Sequence, residues 1–186
     1  MSQLKLNLAM IAATIVLFIA TLALNELLFT RLEFASGINW IYLPAGVRLL
    51  CTLLFGGAGA IGLLLVSWAV CFLYFFPDDM IRSFIGGILA SAAPYLVYRI
   101  MQRHWGLLAT LQNLTPKRLL ICSLAFSLAS PLLHHLWFAF AEPQRPLLSG
   151  FLVMATGDFV GTMIVLYTAK FILMRIPVGA RSGAGL

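Results

Sequence analysis

Residues 6–24 read LNLAMIAATIVLFIATLAL, an uncharged run in which only Asn7, Thr14 and Thr21 are polar. At about 1.5 Å of rise per residue, a helix of this length covers the roughly 30 Å of hydrocarbon in a bilayer. The run is longer than the core of about 7 to 15 residues in a cleavable signal peptide, and with Lys5 just before it, it reads as a retained first span. Other segments follow the same pattern. Of 186 residues, 62% are hydrophobic and 10% charged, and mean hydropathy is +1.01. That leaves too little polar surface for a soluble domain. The runs do not alternate apolar and polar residues, which excludes a β-barrel. The expected fold class is therefore all-α, a polytopic membrane protein.

Breaks in hydropathy divide the chain into six spans, near residues 6–29, 38–55, 58–76, 82–100, 119–141 and 147–171. Ser36-Gly37 interrupts the first stretch, and the glycines of GGAGAIG allow a tight turn between the second and third spans. Pro77-Asp78-Asp79 ends the third span and supplies an N-cap for the fourth, while Thr115-Pro116 reads as cap and first helical residue of the fifth. Glu142-Pro143-Gln144-Arg145-Pro146 is too polar and proline-rich for helix. Residues 1–175 thus form one six-helix transmembrane domain, and 176–186 a short Gly-rich tail. The longest loop, QRHWGLLATLQNLTPKR, has the length of one short amphipathic helix.

Charge fixes the expected orientation. With the N-terminus inside, the inner face carries Lys5, Arg99, Arg103, Lys117, Arg118, Lys170, Arg175 and Arg181 and no acid. The outer face carries Arg31, Arg82 and Arg145 against Glu33, Asp78, Asp79 and Glu142. This asymmetry requires an even number of crossings with both termini cytoplasmic, and in a bacterium it points to the inner membrane. Trp40, Tyr42, Tyr74 and Trp137 fall near the outer boundary, and Tyr98, Trp105 and Tyr167 near the inner one, as interfacial aromatics do. The net charge of +6 is spread over short juxtamembrane segments, so it suits anionic headgroups or a docking partner and gives no nucleic-acid groove.

Three charges remain inside the spans: Arg48, Asp158 and Glu26. Counted along ideal helices, Arg48 and Asp158 lie about 15 and 16 Å from the outer surface, which predicts that they meet in the bundle interior. Glu26, about a turn from the outer end of the first span, is placed to reach headgroups or to lean toward Arg48. An arginine at mid-bilayer costs about 2.5 to 3.5 kcal/mol on insertion scales, so a carboxylate partner is expected. Two readings stay open: a structural ion pair that fixes register, or a site that binds a small anionic ligand or senses a proton. Pro44, Gly46, Pro94, Pro131, Gly157 and Gly161 lie near these charges and loosen the helix backbone there. Gly56, Gly57, Ala60, Gly86, Gly87 and Ala90 read as close-packing positions.

His134 and His135 are adjacent in the fifth span and point about 100° apart, so they do not share one site; each reads as a hydrogen-bonding group or a proton relay. No further intramembrane histidine completes a metal or haem set. Cys51, Cys71 and Cys122 stand singly in apolar runs, as packing residues. FGGAGAIG lacks the Lys-Ser/Thr of a phosphate loop, and no G-x-S-x-G is present. No catalytic residue, cofactor or metal is expected.

WIYLPAG (40–46), the following LLFGGAGAIG and GDFVGTMIVLY (157–167) together resemble the bacterial membrane-associated sensor domain MASE1 over residues 38–168. The resemblance rests on Pro44, Gly46, Gly157 and Asp158. It implies a module that receives a signal in the membrane or periplasm and passes it to a cytoplasmic output domain, such as a histidine kinase or cyclic-di-GMP enzyme. With no output domain in these residues, the module would act through a signalling partner. Six spans with short loops also look like the substrate-binding subunit of an energy-coupling-factor transporter, with Ala9 and Ala13 as a small-residue surface toward its transport partner. A structural membrane protein is the third reading.

Overall fold

A computed structural model describes residues 2–106, 114–142 and 144–175. Helix α1 (Gln3–Phe29) runs through a 3₁₀ turn, Thr30–Leu32, into a small antiparallel hairpin of β1 (Glu33–Ala35) and β2 (Ile38–Asn39). There follow α2 (Leu43–Phe55), α3 (Gly57–Val70) with a π turn at Cys71–Phe75, α4 (Met80–Trp105), α5 (Pro116–Ala141) and α6 (Leu147–Arg175). The chain is nearly all helical, and five segments are long and apolar enough to cross a membrane: Gln3–Leu32, Gly57–Phe75, Met80–Trp105, Pro116–Ala141 and Leu147–Ile172. It is a multi-pass membrane protein. Of the proposed amphipathic loop, 102–118, residues 102–105 belong to α4 and 116–118 to α5, and 107–113 lie outside the described residues, as do the tail from 176 and Arg181.

The expected second span, 38–55, is helical only in part, as α2. Its 13 residues cover only about 20 Å, because Trp40-Ile41-Tyr42 is not helical. Pro44 sits in the first turn of α2, where a missing N–H costs nothing, and so marks where the helix starts. The hairpin was also not expected. It turns at Ser36-Gly37, where Gly37 adopts φ +78° and its N–H donates to Glu33 Oε1 at 3.2 Å.

Irregular backbone among membrane helices needs partners, and here two neighbours supply them. The Tyr42 N–H donates to the Gly157 carbonyl of α6 (3.2 Å). The Leu43 N–H, at the uncapped start of α2, donates to the Asn25 side chain of α1 (2.9 Å). Close approach of α6 depends on glycine. A Cβ at Gly157 would run into the Asn39 carbonyl oxygen, and one at Gly161 into that of Tyr42. Two of the stretches behind the family resemblance therefore pack against each other.

Other boundaries follow local chemistry. Gly56, at φ +53°, turns α2 directly into α3. Asp79 caps α4 by accepting the Arg82 N–H (2.9 Å), and Thr115 caps α5 by accepting that of Arg118 (3.3 Å). Gly87 leaves room for the Trp68 indole, which stacks on Phe84 (5.3 Å) and donates to its carbonyl (3.0 Å). The three cysteines are buried and free.

Candidate functional site

Arg48 projects from the second turn of α2 and is 7% exposed. Side chains on a helix lean toward its N-terminus, and the guanidinium carbon lies 5.2 Å from the Tyr42 ring and 5.3 Å from the Phe18 ring of α1. Two aromatic faces thus provide part of what water would otherwise give the cation, each contributing on the order of 1 kcal/mol. Arg48 Nε has no hydrogen-bond partner.

Asp158 on α6 is 1% exposed, with Ser130 of α5 beside it, and its Oδ2 lacks a hydrogen-bond partner. Arg48 is near enough to act on it electrostatically, but the two do not form an ion pair within 4 Å. Among the described residues such pairs are Arg82 with Glu142 (3.3 Å) and Arg145 with Glu142 (3.4 Å). The expected direct ion pair is therefore not formed, although both side chains are buried in the interior. Of the five residues before Leu43, only Ile38 and Asn39 are strand and Trp40 and Ile41 bend, so the chain does not enter α2 along the straight helix that the depth count assumes.

The packing of α2 on α6 shows their offset. Tyr42 bonds to Gly157, and Gly46 faces Gly161 and Val165. Asp158 is level with Tyr42, whereas Arg48 starts two residues beyond Gly46.

Tyr42 fills that offset. It is 6% exposed, and its phenol lies within electrostatic reach of Arg48, Asp158, Cys71 and Glu26. It packs inside the bundle, whereas its neighbour Trp40 is 47% exposed. Glu26 is half-buried and lies beside the Tyr74 hydroxyl on the π turn.

Arg48 and Tyr42 line a cavity of about 60 Å³ that also reaches Phe18, Cys71, Arg82 and His134. Toward the hairpin it is lined by Phe76, Trp137 and Phe138 together with Ser36, Gly37 and Ile38. Arg82 lies over Phe76 (3.8 Å), and Arg145 over Phe138 (4.4 Å). Two guanidiniums share the single carboxylate of Glu142, and Asp79 and Glu33 lie close by, accepting the N–H groups of Arg82 and Gly37.

The two histidines face different neighbours. His134 lines the cavity and donates from Nδ1 to the Ser130 carbonyl (2.8 Å). His135 donates to the Pro131 carbonyl (2.9 Å) and turns Nε2 toward Gly150, packed edge-on against Phe138 and Phe151. Among the described residues no three His, Cys, Asp or Glu are grouped to hold a metal ion.

No family model, curated protein or solved structure matches this chain. Its function is read from the chemistry of the site. That chemistry is an arginine held between aromatic faces, a second arginine at the mouth, and apolar walls between them. Sequence reading missed Tyr42, Phe18, Asn25 and Arg82. Pro44 was the available signal for Tyr42, since a proline in a first helical turn places the preceding residues outside the helix.

Proposed function

We propose that this chain is a ligand-recognition module of the bacterial inner membrane that binds a small organic anion in the cavity between Arg48 and Arg82 and acts through a partner protein. In this reading the chain crosses the membrane six times. The non-helical residues 40–42, which bend before α2, would carry the chain across the part of the bilayer that the roughly 20 Å of α2 leaves. Both termini then lie in the cytoplasm, where the positive-inside rule puts the basic end. The MASE1 resemblance belongs to the same proposal: a sensor of this kind would report occupancy through α6, whose glycines rest on the Tyr42 backbone.

One observation carries the reading: Arg48 is 7% exposed, lines the cavity, and has no carboxylate at ion-pair distance. An arginine that served only to lock register would be matched more closely by Asp158. The second reading is uptake rather than sensing. It is favoured by the N-terminus of α2 lying inside the bundle, the way transporters bring helix ends to bound anions.

The test is mass spectrometry of organic anions released from denatured pure protein, alongside thermal-shift titration with carboxylates of increasing chain length. Wild type should retain one anion near stoichiometrically. Arg82→Gln and Arg48→Lys should each lower its occupancy or affinity about tenfold while remaining folded. A wild-type protein that retains no anion and is stabilised by none of the series refutes the proposal. Accumulation of the anion in sealed vesicles, as opposed to equilibrium binding alone, would favour uptake.

A further inference from the structure

At the end of the bundle away from the hairpin, α5 and α6 part to leave a groove of about 460 Å³ along Lys117, Leu120, Met163, Tyr167 and Lys170. We infer that this groove holds one anionic phospholipid, its phosphate between Lys117 and Lys170 and an acyl chain along Leu120 and Met163. The inference is independent of the anion cavity.

The two helices run antiparallel, and the pairing of His135 with Gly150 sets their register. It brings Lys117 level with Lys170 at the rim, and Ser123 level with Met163 about two turns deeper. The lining thus changes from cationic to apolar over roughly 10 Å in the direction of the helices. That is the profile of a phospholipid headgroup and upper chain.

Charge points the same way. All six acidic side chains, Glu26, Glu33, Asp78, Asp79, Glu142 and Asp158, lie toward the hairpin end or in the interior. Lys5, Arg99, Arg103, Lys117, Arg118, Lys170 and Arg175 lie at the groove end. No side chain of this chain is therefore placed to neutralise the groove.

Several of the other cations there are directed elsewhere. Arg118 lies over Trp105 (5.6 Å), Arg175 over Phe171 (4.6 Å), and Arg99 reaches Gln102 (3.5 Å). Lys117 and Lys170 remain exposed along the groove. A juxtamembrane lysine is worth about 1 kcal/mol toward an anionic lipid, and two that converge on one phosphate, with an apolar channel beneath, give a defined site rather than diffuse attraction.

Thermal unfolding of the full chain in neutral detergent tests this, with dioleoyl phosphatidylglycerol, dioleoyl phosphatidylcholine and inorganic phosphate as probes. Phosphatidylglycerol should raise Tm saturably by about 3 °C or more, while the other two leave it unchanged. Lys117→Gln with Lys170→Gln should abolish the shift. Lys5→Gln with Arg103→Gln, which removes the same charge outside the groove, should preserve it. Leu120→Trp, which fills the groove and keeps both lysines, should also abolish it. An equal shift with phosphatidylcholine or with phosphate alone would overturn the inference. So would equal loss in the two double variants, or an undiminished shift in Leu120→Trp.

Discussion

Arg48 owes its place inside the bundle to two ring faces and a distant carboxylate. The rings of Tyr42 and Phe18 lie against its guanidinium at 5.2 and 5.3 Å, and Asp158 supplies charge without direct contact. Separate contributions predict separate mutant behaviour. Arg48→Met deprives Asp158 of the cation that acts on it and should cost about 1 to 3 kcal/mol, the scale for leaving a buried polar group uncompensated. Adding Asp158→Asn should recover at least about 1 kcal/mol of that loss, read from reversible unfolding in mixed micelles. Strict additivity would mean that the two residues do not communicate. Tyr42→Phe keeps the ring face and Tyr42→Leu removes it, so the Leu variant should be less stable than the Phe variant by roughly 1 kcal/mol in the same assay. If the two are equal, the phenol matters only as bulk.

At the scale of elements, α2 exists as a half-helix because α1 and α6 accept its irregular approach. Asn25→Leu makes α1 more hydrophobic yet leaves the Leu43 amide without its acceptor, and it should lower stability by about 1 to 3 kcal/mol despite easier insertion. Gly157→Ala and Gly161→Ala should each cost on the order of 1 to 3 kcal/mol, since the added methyl meets backbone that cannot yield as a side chain would. Gly57→Ala is the control. Nothing lies within 4 Å of a Cβ there, so the variant should be neutral or slightly stabilising in the same unfolding series.

These elements also mark how much was legible in the sequence. The ends of α4 and α5 could be read from Asp79 and Thr115, because a cap is a local signal. The start of α2 could not be read from hydropathy, since Trp40-Ile41-Tyr42 is as apolar extended as it is helical. The hairpin was too short to show alternation. The site was legible as a set of charges and not as a geometry: Arg48 and Asp158 stood out as expensive residues, but whether they touch depends on the bend at Trp40-Ile41 and on where α2 starts, which no composition reveals.

Across the whole molecule, charge and architecture are aligned. The hairpin, the turn before α4 and the Arg82–Glu142–Arg145 cluster share one end; the other end is basic throughout. The cavity is lined toward the hairpin by Ser36, Gly37 and Arg82, so under the proposed function a ligand would enter from the periplasm only where the basic end faces the cytoplasm. This orientation decides whether the module can sample the cell's exterior, and single-cysteine labelling of intact cells tests it. Ser36 is exposed at the hairpin and Ser2 at the opposite end, while Cys51, Cys71 and Cys122 are buried and leave a low background. Ser36→Cys should react with a membrane-impermeant maleimide in intact cells, and Ser2→Cys only after the membrane is opened. The reverse pattern would turn the cavity mouth toward the cytoplasm and make any ligand an internal metabolite.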